Sequence, residues 1–334
     1  MPKLLMRGSL IAAGLVLSII GAAALLLTAL VAAPLTRPPP LASISNTARA
    51  VDRSTMPDIE RFQARDGTGL AYRHYPARGA AVGRVAVLVH GSSGSSTSIH
   101  ALADALAGRG VETFAVDIRG HGASGARGDL GYVGQLEDDL VDFVAVVRKN
   151  SPDAPLTLIG HSAGGGFALR VAASPIQNLF ARTVLLAPYL GYDAPSSRQD
   201  AGGWASADVP RILGLLALRK FGINCCEALP TLAFGVPPNS EKILVPVYSD
   251  RLMRNFATRG YRTDLAAVTR PLTIISGADD EMMLADKYEE TAHAVAPSVD
   301  VKLIDGVNHM GLVTLPKAVS AVADDVATRG IGQS

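Results

Sequence analysis

"LTLIGHSAGGGFALR", Leu156 to Arg170, sets the fold reading. The apolar run "LTLI" meets Gly160-His161-Ser162-Ala163-Gly164, and the helical pattern "FALRVAA" follows. A strand that turns into a helix this abruptly strains the residue at its apex and pushes that side chain into the open. Residues two before and two after must then be small, and glycine fills both places. Ser162 is therefore the candidate nucleophile. The same bend aims the N–H of Ala163, at the start of the helix, toward negative charge developing on a substrate oxygen.

Short, almost continuous apolar runs surround this corner. They are "VAVLVHG" (Val85–Gly91), "TFAVDIRG" (Thr113–Gly120), "TVLLAP" (Thr183–Pro188), "LTIISG" (Leu272–Gly277) and "VKLIDG" (Val301–Gly306). Runs of this kind are strands covered on both faces, and they end at turns where ligands gather. Amphipathic segments between them, "SIHALADALAGRG" and "GQLEDDLVDFVAVVRKN", supply crossover helices. The fold class is α/β, a mostly parallel sheet with helices on both faces. "RFQARDGTGLAYRHY" alternates about Asp66-Gly67 and predicts an opening hairpin. About 80 residues separate "TVLLAP" from "LTIISG", far more than a simple connection needs, so a helical cap is expected over roughly residues 190–268.

A serine hydroxyl needs a base within hydrogen-bond reach and a third group to orient that base. On a sheet of this type the acid and then the histidine follow the serine in chain order, at the ends of later strands. "LTIISGADDEMM" offers Asp279 and Asp280, and "VKLIDGVNHMG" offers His309. With these motifs the chain from about Arg61 to its last helix resembles the α/β-hydrolase family, particularly the monoacylglycerol lipase and lysophospholipase-like branch. The resemblance implies Asp280 as the acid, the end of Gly-x-x-Asp; Asp279 is the runner-up, with capping of the following turn as its alternative role. It implies Ser92, after His90-Gly91, as the second oxyanion donor beside Ala163. It also implies that His121, in "DIRGHGASG", braces its loop, and His161 reads as a packing residue.

The expected chemistry is hydrolysis of a carboxylic ester, lipid-like in this branch, through an acyl-enzyme on Ser162, Asp280 and His309. An amide hydrolase of the same fold and a silent membrane-tethered binding module are the rivals; a dehalogenase would carry aspartate in place of Ser162. No cofactor is expected, because "HGSSGSS" lacks the glycine spacing and following lysine of a phosphate loop. No metal is expected either: Glu137, Asp138, Asp139 and Asp142 read as a solvated helix face. The net charge of +1 and the lack of a Lys/Arg run exclude a dedicated nucleic-acid surface.

Gly8 to Thr36 contains no charged residue, while Lys3 and Arg7 precede it. About 25 residues of helix reach roughly 38 Å, enough to cross a bilayer core of about 30 Å. A cleaved signal would have a shorter apolar region. Residues 1–36 are thus expected as a single-pass signal anchor, residues 37–60 as a Pro-rich tether, and residues 61–330 as the catalytic domain, outside the cytoplasm. "DVPRILGLLALRKFGI", Asp208 to Ile223, combines apolar residues with three cations, as a mobile cap segment facing lipid or an acyl pocket would; a cap helix packed permanently on the sheet domain is the alternative. The cysteines, Cys225 and Cys226, are adjacent and read as partly buried thiols; the spacing fits neither a disulfide framework nor a metal site.

Overall fold

Along each central strand, alternate side chains enter two different cores. Val85, Val87 and Val89 face one core while Ala86 and Leu88 face the other, and Leu158 and Ile159 divide in the same way. This is the two-residue repeat of a strand buried on both sides. The structure, a computed structural model, describes residues 2–49, 51–240 and 243–328.

The strands of the main sheet are β1 (Glu60–Gln63), β2 (Gly69–Tyr75), β3 (Val85–Val89), β4 (Glu112–Val116), β5 (Leu156–His161) and β6 (Arg182–Leu186). After an insertion carrying β7 (Ala205–Ala207), β8 (Pro230–Phe234) and β9 (Val247–Ser249), they resume with β10 (Leu272–Gly277) and β11 (Asp300–Ile304). Their order is β1-β2-β4-β3-β5-β6-β10-β11. The expected hairpin is β1 and β2, antiparallel, with Gln63 opposite Gly69; β2 also runs antiparallel to β4, and all later pairings are parallel.

Helices α1 (Pro2–Val31) and α2 (Ala42–Arg49) precede the sheet, and α3 (His100–Gly108), α4 (Gln135–Asn150) and α5 (Ala163–Ala172) cross over it. One face is covered by α4 and α5, the other by α3 and the last helix, Pro316–Thr328. Leu136, Leu140, Phe143, Val144 and Val147 recur at helical spacing on α4 and are all buried. Phe143 packs on Phe62 and Tyr72, with ring centroids 5.1 and 5.0 Å apart, so Phe143→Ala would cost about 3–5 kcal/mol.

The insertion holds the expected helix, Val209–Lys220, and adds an antiparallel sheet in the order β7-β8-β9. Trp204, Phe234, Val245, Tyr248 and Leu252 of the cap are buried in the same core as Val89 and Phe167, so the cap is seated on the sheet domain.

Two expectations change. The acidic face of α4 is ion-paired rather than solvated. Arg65 bridges Asp138 and Asp142, buried Asp139 meets Arg119, and Glu137 meets Arg170. Cys225 and Cys226 are exposed, not partly buried. Within residues 37–60, the stretch expected as a Pro-rich tether, lies α2, and Leu41 and Ile44 pack against the core that the sheet domain and the cap share. In α1, Ala12–Val31 is long and apolar enough to cross a membrane, and none of it is buried.

Candidate active site

β5 ends at His161 and α5 begins at Ala163, so Ser162 occupies the corner alone. Its backbone lies at φ 56, ψ −120, a left-handed conformation uncommon outside glycine. The corner is held from both sides: Ser162 N–H donates to Leu186 O at 2.9 Å, and Tyr189 N–H donates to Ser162 O at 3.0 Å. Both flanking glycines are required by space. A Cβ on Gly160 would stand 2.1 Å from Gly164 O, and one on Gly164 would stand 2.3 Å from His90 O.

Asp280 and His309 come from the loops that follow β10 and β11, which pair in parallel so that their C-terminal ends lie side by side. His309 Nδ1 is 2.8 Å from Asp280 Oδ2. The other oxygen of Asp280 accepts the N–H groups of Met282 and Met283, both at 2.8 Å. Burial pushes the Asp280 carboxyl up, but the neighbouring His309 and these hydrogen bonds outweigh it and hold the group below the usual carboxylate value. Asp279 is exposed, and its N–H is spent on Val307 O at 3.0 Å.

Ser162 and His309 share one cavity of about 560 Å³ with Gly91, Ser92 and His161. Trp204, Ile243, Leu244, Met282 and Met310 give it an apolar wall, and Ile44 and Arg53 from the segment before the sheet complete it. The first N–H groups of a helix have no intrahelical acceptor, which leaves Ala163 N–H available at the start of α5. Ser92 also lines the cavity, and its Oγ accepts the indole N–H of Trp204 at 3.0 Å.

Two of the other histidines make contacts beyond packing. His161 Nε2 lies 3.3 Å from His309 O, a contact in which the imidazole donates. Burial and the adjacent His309 push its pKa down to about 3, so His161 is neutral. His121 braces its loop and also meets the cap residue Tyr248. Sequence reasoning missed Glu281, whose Oε2 accepts the backbone N–H of His309 at 2.9 Å. Its place directly after Asp280 was the available signal.

The sequence model of a family described as serine aminopeptidase, S33, matches residues 80–221. Monoacylglycerol lipase of Mycolicibacterium smegmatis is 32% identical over 233 residues, covering 67% of this chain and 80% of that protein. The chain belongs to this α/β-hydrolase family of serine hydrolases. Monoglyceride lipase of Homo sapiens is 30% identical over 290 residues, or 80% of this chain and 89% of that one. Among solved structures, a soluble variant of monoglyceride lipase from Saccharomyces cerevisiae with a substrate analog superposes with a TM-score of 0.61 at 20% identity, over 82% of this chain and 95% of its own. A membrane phospholipase A described as a bacterial virulence factor gives 0.56 at 17% identity, over 96% and 99%. At these identities the solved structures speak for the fold. Membership makes the chain an ester-hydrolysing serine hydrolase.

Proposed function

We propose that the chain is a membrane-anchored hydrolase of lipid-like carboxylic esters, monoacylglycerols or lysophospholipids, acting through an acyl-enzyme on Ser162. The observation that carries this is that buried Asp280 lies 2.8 Å from the ring of His309, which shares its cavity with Ser162. His309 takes the Ser162 proton as Oγ attacks the ester carbonyl, while Asp280 fixes the imidazole tautomer and stabilises its positive charge. The N–H groups of Ser92 and Ala163 receive the oxyanion. His309 then gives its proton to the leaving alcohol, and afterwards activates water to release the acid.

Lipid character is supported by the cavity wall and by the cap. The helix Val209–Lys220 leaves Val209, Leu213 and Leu216 exposed, and Phe221 beyond it is 77% exposed. Its Gly214 packs against Leu30 and Val31 at the end of α1, so an apolar cap surface lies beside the anchor. In this reading α1 spans the bilayer once and the catalytic domain stands outside the cytoplasm. An aminopeptidase reading would need a carboxylate to hold a free amino group. Among the described residues of the cavity wall the charged side chain is Arg53, a cation.

The test is kcat/KM for monomeric esters from C2 to C12. Each added methylene buried in the pocket contributes up to about 0.8 kcal/mol, so specificity rises with chain length until the pocket is full. A preference for acetyl esters, unchanged by Leu213→Ser and Leu216→Ser, would reject the lipid substrate.

A further inference from the structure

The loop that carries Ser92 is held by the cap. Ser93, the next residue, lies at φ 66, which a serine keeps only where its surroundings enforce it. Those surroundings come from the insertion. Ser93 N–H donates to the Tyr248 hydroxyl at 2.6 Å, and Val245 N–H donates to Ser93 O at 2.8 Å. With the Trp204 indole on Ser92 Oγ, three cap residues grip two consecutive loop residues.

Tyr248 is buried on β9 and packs edge-on against Phe234, with centroids 4.6 Å apart. Its hydroxyl also lies 2.5 Å from His121 Nε2. His121 Nδ1 is 3.3 Å from Arg119 O, a contact that puts the ring proton on Nδ1 and leaves Nε2 as an acceptor. Burial, with His90 beside it, keeps His121 well below the usual imidazole value and hence neutral. The tyrosine O–H therefore donates to His121, and its lone pair takes the Ser93 N–H. One directed chain runs from the oxyanion loop through the cap to the Gly-His-Gly loop.

We propose that the cap is the template of the oxyanion hole: Tyr248 holds the Ser92–Ser93 backbone so that Ser92 N–H faces the reacting oxygen, and the hole is complete only while the cap is seated. This rests on the reading of Ser162 as nucleophile and of Ser92 as an oxyanion donor. Tyr248 is a positioning residue, outside the cavity wall and acting through the loop. A cap that lifts would release the loop, so a displaced cap switches hydrolysis off.

The experiment compares wild type with Tyr248→Phe on a soluble p-nitrophenyl ester. A trifluoromethyl ketone, whose adduct carries an oxyanion, is measured against the product alcohol, which does not. Expected for Tyr248→Phe is a kcat lower by about 10- to 100-fold with KM little changed, less than the 10² to 10³ that follows loss of a whole donor. Ketone affinity should fall in step with kcat/KM, and alcohol affinity should not. Adding Ser93→Gly, free to adopt positive φ, should restore part of kcat. Should Tyr248→Phe not fold, Trp204→Phe should produce the same divergence between ketone and alcohol. Unchanged kcat in folded Tyr248→Phe, or equal losses for ketone and alcohol, overturns the template role alone. Fluorophosphonate labelling that survives Ser162→Ala overturns the underlying reading, and the proposal with it.

Discussion

His309 turns its Nδ1 onto Asp280 across 2.8 Å, while its own backbone N–H is held by Glu281, the residue beside that aspartate. One dipeptide thus fixes both the ring and the main chain of the proposed base. Asp280→Asn should lower kcat by about 10⁴-fold, the loss typical when an orienting carboxylate no longer selects the working tautomer. Asp279→Asn should remain close to wild type, because that side chain faces solvent. Steady-state rates for the two variants on one ester check the assignment, and the reverse ranking would move the acid.

Ser162→Ala should abolish ester turnover, with a loss on the order of 10⁶ in kcat, together with fluorophosphonate labelling. Its corner is held by Leu186 and Tyr189, so the backbone stays in place without the hydroxyl. Labelling at the wild-type rate in this variant would put the nucleophile elsewhere.

Most of the sheet was legible because each strand is a short apolar run closed by a turn, and the corner "GHSAGG" was legible because its glycines answer to hard contacts. The proposed acid was legible only as one of two adjacent aspartates; spacing alone leaves both at the end of β10, and the resemblance favours Asp280. The cap sheet was not legible. β7 and β9 are three residues each, and their pairing with β8 is non-local, which no periodicity records. The contacts of Tyr248 were hidden for the same reason: it meets Ser93 and His121 from far along the chain. The ion pairs of α4 depended on arginines from other elements, and without them four acids on a helix read as solvated.

Acid stability should depend on buried histidines. Burial lowers the pKa of His90, His121 and His161, in the last case to about 3. Since the unfolded value is about 6.5, the unfolded chain binds these protons first as pH falls. The neutral histidines therefore favour the fold above about pH 6.5, and that contribution is lost as pH drops toward the folded value. Each contributes a slope of about 1.4 kcal/mol per pH unit inside the window. His161→Gln should flatten denaturant-derived stability between about pH 4 and 6 by one such increment. An unchanged slope would mean that His161 is protonated in the folded protein.

The junction of α1 and the cap can be tested without altering the apolar span. Arg211 donates Nε–H to Val31 O at 2.8 Å and further N–H groups to Ala33 O and Pro230 O, and it pairs with Asp208 at 3.2 Å. The carbonyls at a helix C-terminus lack intrahelical donors and carry the negative end of the helix dipole, so a guanidinium satisfies them well. One turn along, a Cβ on Gly214 would stand 3.0 Å from Val31 Cγ2 and 3.1 Å from Leu30 Cβ, so the two helices touch closely and a large side chain there does not fit without moving α1. Gly214→Leu should therefore push α1 off the cap, and Arg211→Ala should leave several acceptors unpaired at about 1–3 kcal/mol each where they stay buried. In proteoliposomes both variants should expose residues 37–60 to added protease faster than wild type, while resistance to carbonate extraction is kept because the α1 sequence is untouched. Undiminished protection of that segment in both variants would separate the cap from the anchor and remove the argument that the apolar cap surface rests at the bilayer.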